Sequence, residues 1–181
     1  MNILIFMVSF VYGIIMVLLG VILAILVSKP KKNKELIFTK TTKVKSPVRG
    51  HETDAGIDFF VPDDFKKTTL KPGEDILIDA GIKVVVPKGY ALILKEKSGV
   101  ATKRKLTLGA SVIDSDYRGN IHIHLFNNGT KSQTIEAGDK ITQGIVMPIS
   151  LCTPTEISNI DFATFEVTER GTGGFGSTGS K

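Results

Sequence analysis

From Met1 to Ser28 the chain carries no Lys, Arg, Asp or Glu, and four lysines follow at once in Ser28-Lys-Pro-Lys-Lys-Asn-Lys34. The 25 uncharged residues from Ile3 to Val27 constrain the molecule more than any other feature. Roughly 20 apolar residues, rising about 1.5 Å each as a helix, cross the core of a bilayer. A helix buried in a soluble domain usually keeps a polar stripe, which is absent here. A cleaved signal peptide fits less well, because no basic residue precedes the run and Ala24-Ile-Leu-Val-Ser28 lacks a small-x-small cleavage site. The expectation is a retained transmembrane anchor over 1–28 and a basic juxtamembrane linker over 29–35. Lysines on the C-terminal flank place the rest of the chain on the cytoplasmic side, against anionic headgroups.

The same lysines account for most of the charge. The whole chain stands at +5, and without these four the remainder stands at +1. The basic balance therefore reports a membrane-facing patch and gives no support for a nucleic-acid surface. A lone cysteine, Cys152, excludes an internal disulfide framework and a cysteine zinc site. It is expected to be a small buried apolar residue.

Beyond the linker, short apolar or alternating runs are broken by turn residues. Ile76–Ile78, Ile82–Val86, Tyr90–Leu94 and Ile121–Phe126 read as strands. In the last, Ile121, Ile123 and Leu125 share one face while His122 and His124 share the other. Turns are expected at Lys71-Pro-Gly73, Pro87-Lys-Gly89, Asn127-Asn-Gly129 and Ala137-Gly-Asp139. Only Ile157 to Ala163 reads as a turn of helix. Strands at this spacing predict an all-β sandwich, jelly roll or small barrel.

The chemistry is concentrated in five segments. The tail, Arg170-Gly-Thr-Gly-Gly-Phe-Gly-Ser-Thr-Gly179, has five glycines that leave backbone N–H groups free to cradle phosphate oxygens. Arg170 supplies a bidentate phosphate clamp, and Phe175 stands among residues too small to pack against it. A disordered Gly/Ser terminus is the bland alternative, and it is not a Walker loop. The other four are Asp54-Ala-Gly-Ile-Asp58, Ser98-Gly-Val-Ala101, Gly109–Gly119 (GASVIDSDYRG) and Gly138-Asp-Lys-Ile-Thr-Gln143. Gly109–Gly119 reads as a β-hairpin with Asp114 near its tip. Each alone reads equally well as a simple turn.

In this order and at these separations the five segments closely resemble the motifs of the homotrimeric dUTPase family, over Thr41 to Gly179. The resemblance implies a jelly-roll-like β-barrel over 36–168, with a Gly-rich active-site arm over 169–181. It implies hydrolysis of dUTP to dUMP and pyrophosphate by water attack on the α-phosphate, limiting uracil in DNA and supplying dUMP. Asp114 then orients the attacking water as general base. Tyr117 lies against the deoxyribose and leaves no room for a 2′-hydroxyl. Ser111 and Ile113, in the same hairpin, contribute the main-chain groups that read uracil. Ser98, Gly99 and Gln143 contact phosphates, and Asp58 attends Mg²⁺ through water. Arg170, Gly176, Ser177 and Thr178 close on the γ-phosphate, and Phe175 stacks on the base. Each site of a homotrimer would draw on all three chains.

Three departures stand out. Glu96-Lys97-Ser98 replaces Pro-Arg-Ser, Lys140 stands where the family has arginine, and Ser111 stands where glycine is common. Lysine keeps the charge and loses the planar fork. A dCTP deaminase, which shares the fold, needs a glutamate where His124 stands. A non-catalytic dUTP-gated regulatory module at the membrane is the rival of another class. His122 and His124 are read as solvent-facing or interface residues, since no third metal ligand lies at a sensible spacing.

Overall fold

The computed structural model describes residues 2–27, 35–165 and 167–174. A helix, α1, runs Asn2–Val27. Side chains along it are described only at residues 7, 8 and 10–20, and these are exposed. Among the described residues no helix is long and apolar enough to cross a membrane, so the expected anchor is not supported by the structure. The lysines of the linker lie outside the described residues.

The body is all-β, as expected. Its strands are β1 (Ile37–Lys40), β2 (Ile57–Phe60), β3 (Thr68–Leu70), β4 (Asp75–Val85), β5 (Tyr90–Glu96), β6 (Leu106–Leu108), β7 (Val112–Ile113), β8 (Asn120–Asn127), β9 (Gln133–Ile135) and β10 (Lys140–Pro148). One sheet has the order β1-β4-β8-β6, a second β2-β10-β5-β7, and β3 pairs with β9 in a small third. All pairings are antiparallel. The core lies between the large sheets and is filled by Phe59, Leu92, Leu94, Ile121, Ile123 and Leu125, each nearly or fully buried. Burying side chains of this size stabilises the fold by about 1.5–3 kcal/mol each. The period-2 reading of β8 holds residue by residue, with its isoleucines and Leu125 inward and His122 exposed.

Two elements differ from the reading of the sequence. The run Ile76–Ile78 and all of Ile82–Val86 but its last residue belong to one bent strand, β4, whose register against β8 shifts between Asp79 and Lys83. The bend sits at Gly81, with φ +64°, where an added Cβ would lie 2.3 Å from the Thr42 side chain. Only glycine meets both conditions. The segment Gly109–Gly119 is not a simple hairpin either. Its first arm, β7, pairs with β5 in the second sheet, while β8 pairs with β4 and β6 in the first. The segment therefore straddles the two sheets.

After β10 the chain leaves the body. A helical turn, α2 (Asn159–Phe162), forms where one was expected, capped by Ser158, whose Oγ accepts from Asp161 N at 3.2 Å. Nothing in it is buried, and Ile160, Phe162 and Phe165 stand exposed. Cys152, expected to be buried, is exposed because it belongs to this departing segment.

Candidate active site

The second sheet assembles a basic cluster around one aspartate. Asp58, on β2, is 4% exposed. Oδ1 is held by Lys97, which follows β5, and Oδ2 lies 3.0 Å from Lys140 Nζ at the start of β10. Burial pushes the Asp58 carboxyl up, but the hydrogen bonds and charges of Lys97 and Lys140 outweigh it and hold it below the ordinary value. Gln143 pairs with Asp58 across the β2–β10 ladder, and its Nε2 donates to Glu96 O at 2.9 Å. Gly56 makes that placement possible, because a Cβ there would sit 1.9 Å from Gln143 Oε1. Ser98 and Gly99 follow β5 and lead into a π-helical turn, Val100–Arg104, and both are exposed. Asp58, Ser98, Gly99 and Gln143, named separately from the sequence, thus lie on neighbouring strands and the turn beside them. Asp54 does not join them. It closes its own loop, accepting from His51 N at 2.8 Å.

Glu96, noted in the sequence only as part of the Glu96-Lys97-Ser98 departure and not as a site residue, ties this cluster to β6. Its Oε1 accepts from Leu108 N at 2.9 Å, a bond that holds the Glu96 carboxyl below its ordinary value. No signal in the sequence marks it, since its partner is a backbone amide twelve residues away.

The second cluster surrounds a cavity of about 170 Å³ lined by Ala110, Ser111, Val112, Ile113, Asp114, Tyr117, Asn120, Ile121 and His122. Asp114 is exposed, and its carboxylate has no hydrogen-bond or ion-pair partner among the described residues. Tyr117 Oη donates to Asn120 O at 2.9 Å. The ring passes so close over Gly119 that a Cβ there would sit 2.2 Å from the hydroxyl. Ser111 O accepts from Leu94 N at 2.7 Å, which fixes the arm on the second sheet. The Ile113 side chain is buried, so only its main chain is available to a ligand. Asn120 and His122 were not assigned to the site from sequence, and both line it. His124 points elsewhere: its Nε2 lies 3.0 Å from Asp75 Oδ2, its ring packs on Phe126, and Gly109 gives it room.

Among the described residues no hydrogen bond or ion pair joins the Asp58 cluster to the Asp114 carboxylate. Arg170 donates through Nε to Gly173 O at 2.9 Å in an exposed turn. Phe175, Gly176, Ser177 and Thr178 lie outside the described residues.

A directly ligated cation does not fit this arrangement. Among the described residues no three His, Cys, Asp or Glu side chains gather as a metal site. Asp58, expected to attend Mg²⁺ through water, has a lysine on each oxygen, so its surroundings are already net positive.

An antiparallel β body with a basic cluster and a separate small cavity beside an unpaired carboxylate has the parts of a nucleotide site. A family model described as dUTPase matches residues 42–179. A deoxyuridine 5′-triphosphate nucleotidohydrolase of Mus musculus is 40% identical over 134 residues, covering 74% of this chain and 78% of its own length. One from Caulobacter vibrioides is 39% identical over 129 residues, covering 69% and 79%. Among solved structures, a mutant Staphylococcus bacteriophage 80alpha dUTPase with dUpNHpp superposes with a TM-score of 0.71 at 27% identity, covering 81% of this chain and 99% of its own. A mutant phage phi11 dUTPase, described with a structural Mg(II) ion, gives a TM-score of 0.63 at 25% identity, covering 70% and 98%. The chain belongs to the dUTPase family.

Proposed function

We infer that this chain is a nucleotide hydrolase that converts dUTP to dUMP and pyrophosphate. The observation that carries the reading is Asp114: an exposed carboxylate, unpaired among the described residues, lining a cavity with Tyr117, in a chain that matches the family over residues 42–179. Water attacks the α-phosphorus, a new P–O bond forms, and the α–β bridging P–O bond breaks with pyrophosphate leaving. Asp114 takes the water's proton. Tyr117, pinned through Asn120 O, packs against the sugar and denies space to a 2′-hydroxyl. The phosphates lie toward Ser98, Gly99, Gln143 and the Lys97–Asp58–Lys140 cluster, whose surplus positive charge meets the charge of the triphosphate. Arg170, with Gly176, Ser177 and Thr178, closes on the γ-phosphate, and Phe175 stacks on uracil. Asp58 is the residue of this chain that would attend Mg²⁺, through water, and the ion would supply neutralisation of phosphate charge.

Two further parts belong to the reading. The chain works as a homotrimer with shared sites; the separation of the Asp58 and Asp114 clusters and the exposed apolar side chains after β10 support this. The charge-free run and its lysine flank support a single-pass anchor that holds the enzyme at the cytoplasmic face. Extraction by high salt alone would overturn the anchor, whereas retention after salt and alkaline washes is the result expected. The activity is tested by incubating the full-length chain with dUTP and dCTP, with and without Mg²⁺. The expected products are dUMP and pyrophosphate from dUTP alone. Release of ammonia from dCTP would indicate the deaminase instead. His124 stands against that result, since it takes the place of the required glutamate and is turned toward Asp75.

A further inference from the structure

Two pairs of residues face the phosphates in this reading, Ser98 with Gly99 and Lys140 with Gln143, and they come from distant parts of the chain. The first pair leads into the π-helical turn Val100–Arg104. Ala101 N donates to Lys97 O at 2.9 Å and Thr102 Oγ1 to Ser98 O at 2.7 Å, which ties the turn to that pair. The last residue of the turn, Arg104, reaches to the other segment. Its Nη1 donates to Asp139 Oδ2 at 3.3 Å, and its Nη2 donates to Thr134 O on β9.

Asp139 is itself fixed. Its Oδ2 also accepts from Glu136 N at 3.2 Å, and its carbonyl accepts from Val61 N at 2.9 Å. Lys140, the next residue, holds Asp58 Oδ2, and Gln143 follows on the same strand. The Arg104 and Asp139 side chains are 27% and 32% exposed, more enclosed than an ordinary surface pair. One planar guanidinium meets a carboxylate and a carbonyl at once, which an ammonium on a flexible stem does less well. Arg104 thus joins the turn after Ser98 to the loop before Lys140.

Resting on the dUTP reading above, we propose that Arg104 is a positioning residue for the triphosphate. Its ties to Asp139 and Thr134 set the spacing between Ser98 with Gly99 and Lys140 with Gln143, so that both pairs grip one phosphate chain. Arg104 does not touch the substrate, because its guanidinium is already committed to protein acceptors. A nucleotide with a single phosphate cannot report the spacing of two grips, whereas a triphosphate can. The grip is made before and during the reaction alike, so losing it weakens binding more than turnover.

The test measures kcat and KM for dUTP, and inhibition by dUMP, in the full-length chain and its Arg104→Ala, Arg104→Lys and Asp139→Ala variants. Arg104→Ala is expected to raise KM by about tenfold, with kcat within about threefold and dUMP inhibition within about twofold of the parent. Arg104→Lys, which keeps the charge and loses the fork, should recover part of that loss. Asp139→Ala should raise KM in the same direction, and the double variant should exceed Arg104→Ala by less than about twofold, since both act through one contact. A fall in KM in Asp139→Ala overturns the proposal, because a freed Arg104 would then be binding phosphate itself. So does a KM unchanged within about twofold in Arg104→Ala, or an equal loss on dUMP, which would make Arg104 only a support for the fold. If Arg104→Ala does not fold, Arg104→Lys decides: a KM raised by about threefold supports the proposal, and an unchanged one overturns it. If the parent hydrolyses no dUTP, the functional reading fails, and calorimetric binding of tripolyphosphate decides the role of Arg104. Binding about tenfold weaker in Arg104→Ala supports the role, and equal or absent binding in both chains overturns it.

Discussion

Asp58 and Asp114 carry the same side chain in opposite surroundings. Asp58 is buried on β2, the end strand of the second sheet, with a lysine on each oxygen. Asp114 is exposed and lines a cavity, with no partner among the described residues. A carboxylate already bound twice has little left for a water molecule, and its charge serves to hold Lys97 and Lys140 in place. An unpaired carboxylate keeps its lone pairs for a proton. On the proposed reading, acid–base chemistry goes to the carboxylate the fold leaves unsatisfied, and electrostatic construction to the one it saturates.

The strongest way to break this contrast is Asp114→Asn. Turnover of dUTP should fall by about 10²–10⁴-fold, while thermal stability stays within about 0.5 kcal/mol, because an exposed group without partners contributes little to the fold. Single-turnover kinetics and a melting curve decide it. A loss below about threefold would remove Asp114 from the chemistry.

Asp58→Asn should do the reverse, with stability falling first. It leaves Lys97 and Lys140 without a countercharge, with side chains 28% and 44% exposed. Breaking a fully buried pair costs about 3–5 kcal/mol, and solvent screening of these two lysines reduces that to about 1–3 kcal/mol. Denaturant unfolding at neutral pH reads the difference. An unchanged midpoint would mean that the cluster is not structural.

Much of this contrast was legible in the sequence, but not all of it. Alternation along Ile121–Phe126 placed the inward face of β8, because a period of two is a local property. The five segments placed Asp58, Gln143, Ser98 and Asp114 by resemblance. The pairing of β7 with β5 was not legible, since it depends on Leu92 and Ile113, far apart in the chain. The bend at Gly81 was hidden for a similar reason, as it answers to Thr42 on a distant segment. Cys152 misled because an apolar residue type says nothing about whether its segment stays on the body. His122 and His124 were indistinguishable until Asp75 and Asn120 were seen to take one ring each.

Gly119→Ala sharpens the picture around Asp114 without touching it. The new Cβ would meet Tyr117 Oη at 2.2 Å, so the ring must give up its bond to Asn120 O and leave its place. The expected result is about a tenfold loss of preference for dUTP over UTP, with little change in stability, on the scale of one lost contact and hydrogen bond. Steady-state kinetics on both nucleotides measures it. An undiminished preference would detach Tyr117 from sugar selection.

The smallest effect separates the two lysines of the cluster and tests its pH dependence. Lys140 is the more exposed partner of Asp58, so Lys140→Ala should cost less than about 1 kcal/mol, with Lys97→Ala costing more. Both should leave a trace at low pH. The Asp58 carboxyl titrates below its ordinary value in the folded chain, so the unfolded chain binds its proton first as pH falls. The stability from this group is therefore complete well above the ordinary carboxylate value of about 3.9 and is lost as pH drops through the lower folded value. Subtracting the Asp58→Asn curve from that of the parent between about pH 6 and pH 2 should isolate this acid-labile component. In Lys140→Ala it should shrink but persist, because Lys97 still holds Oδ1. If instead it vanished with Lys140 alone, the exposed lysine would be carrying the pair, and the saturation of Asp58 would rest on one partner rather than two.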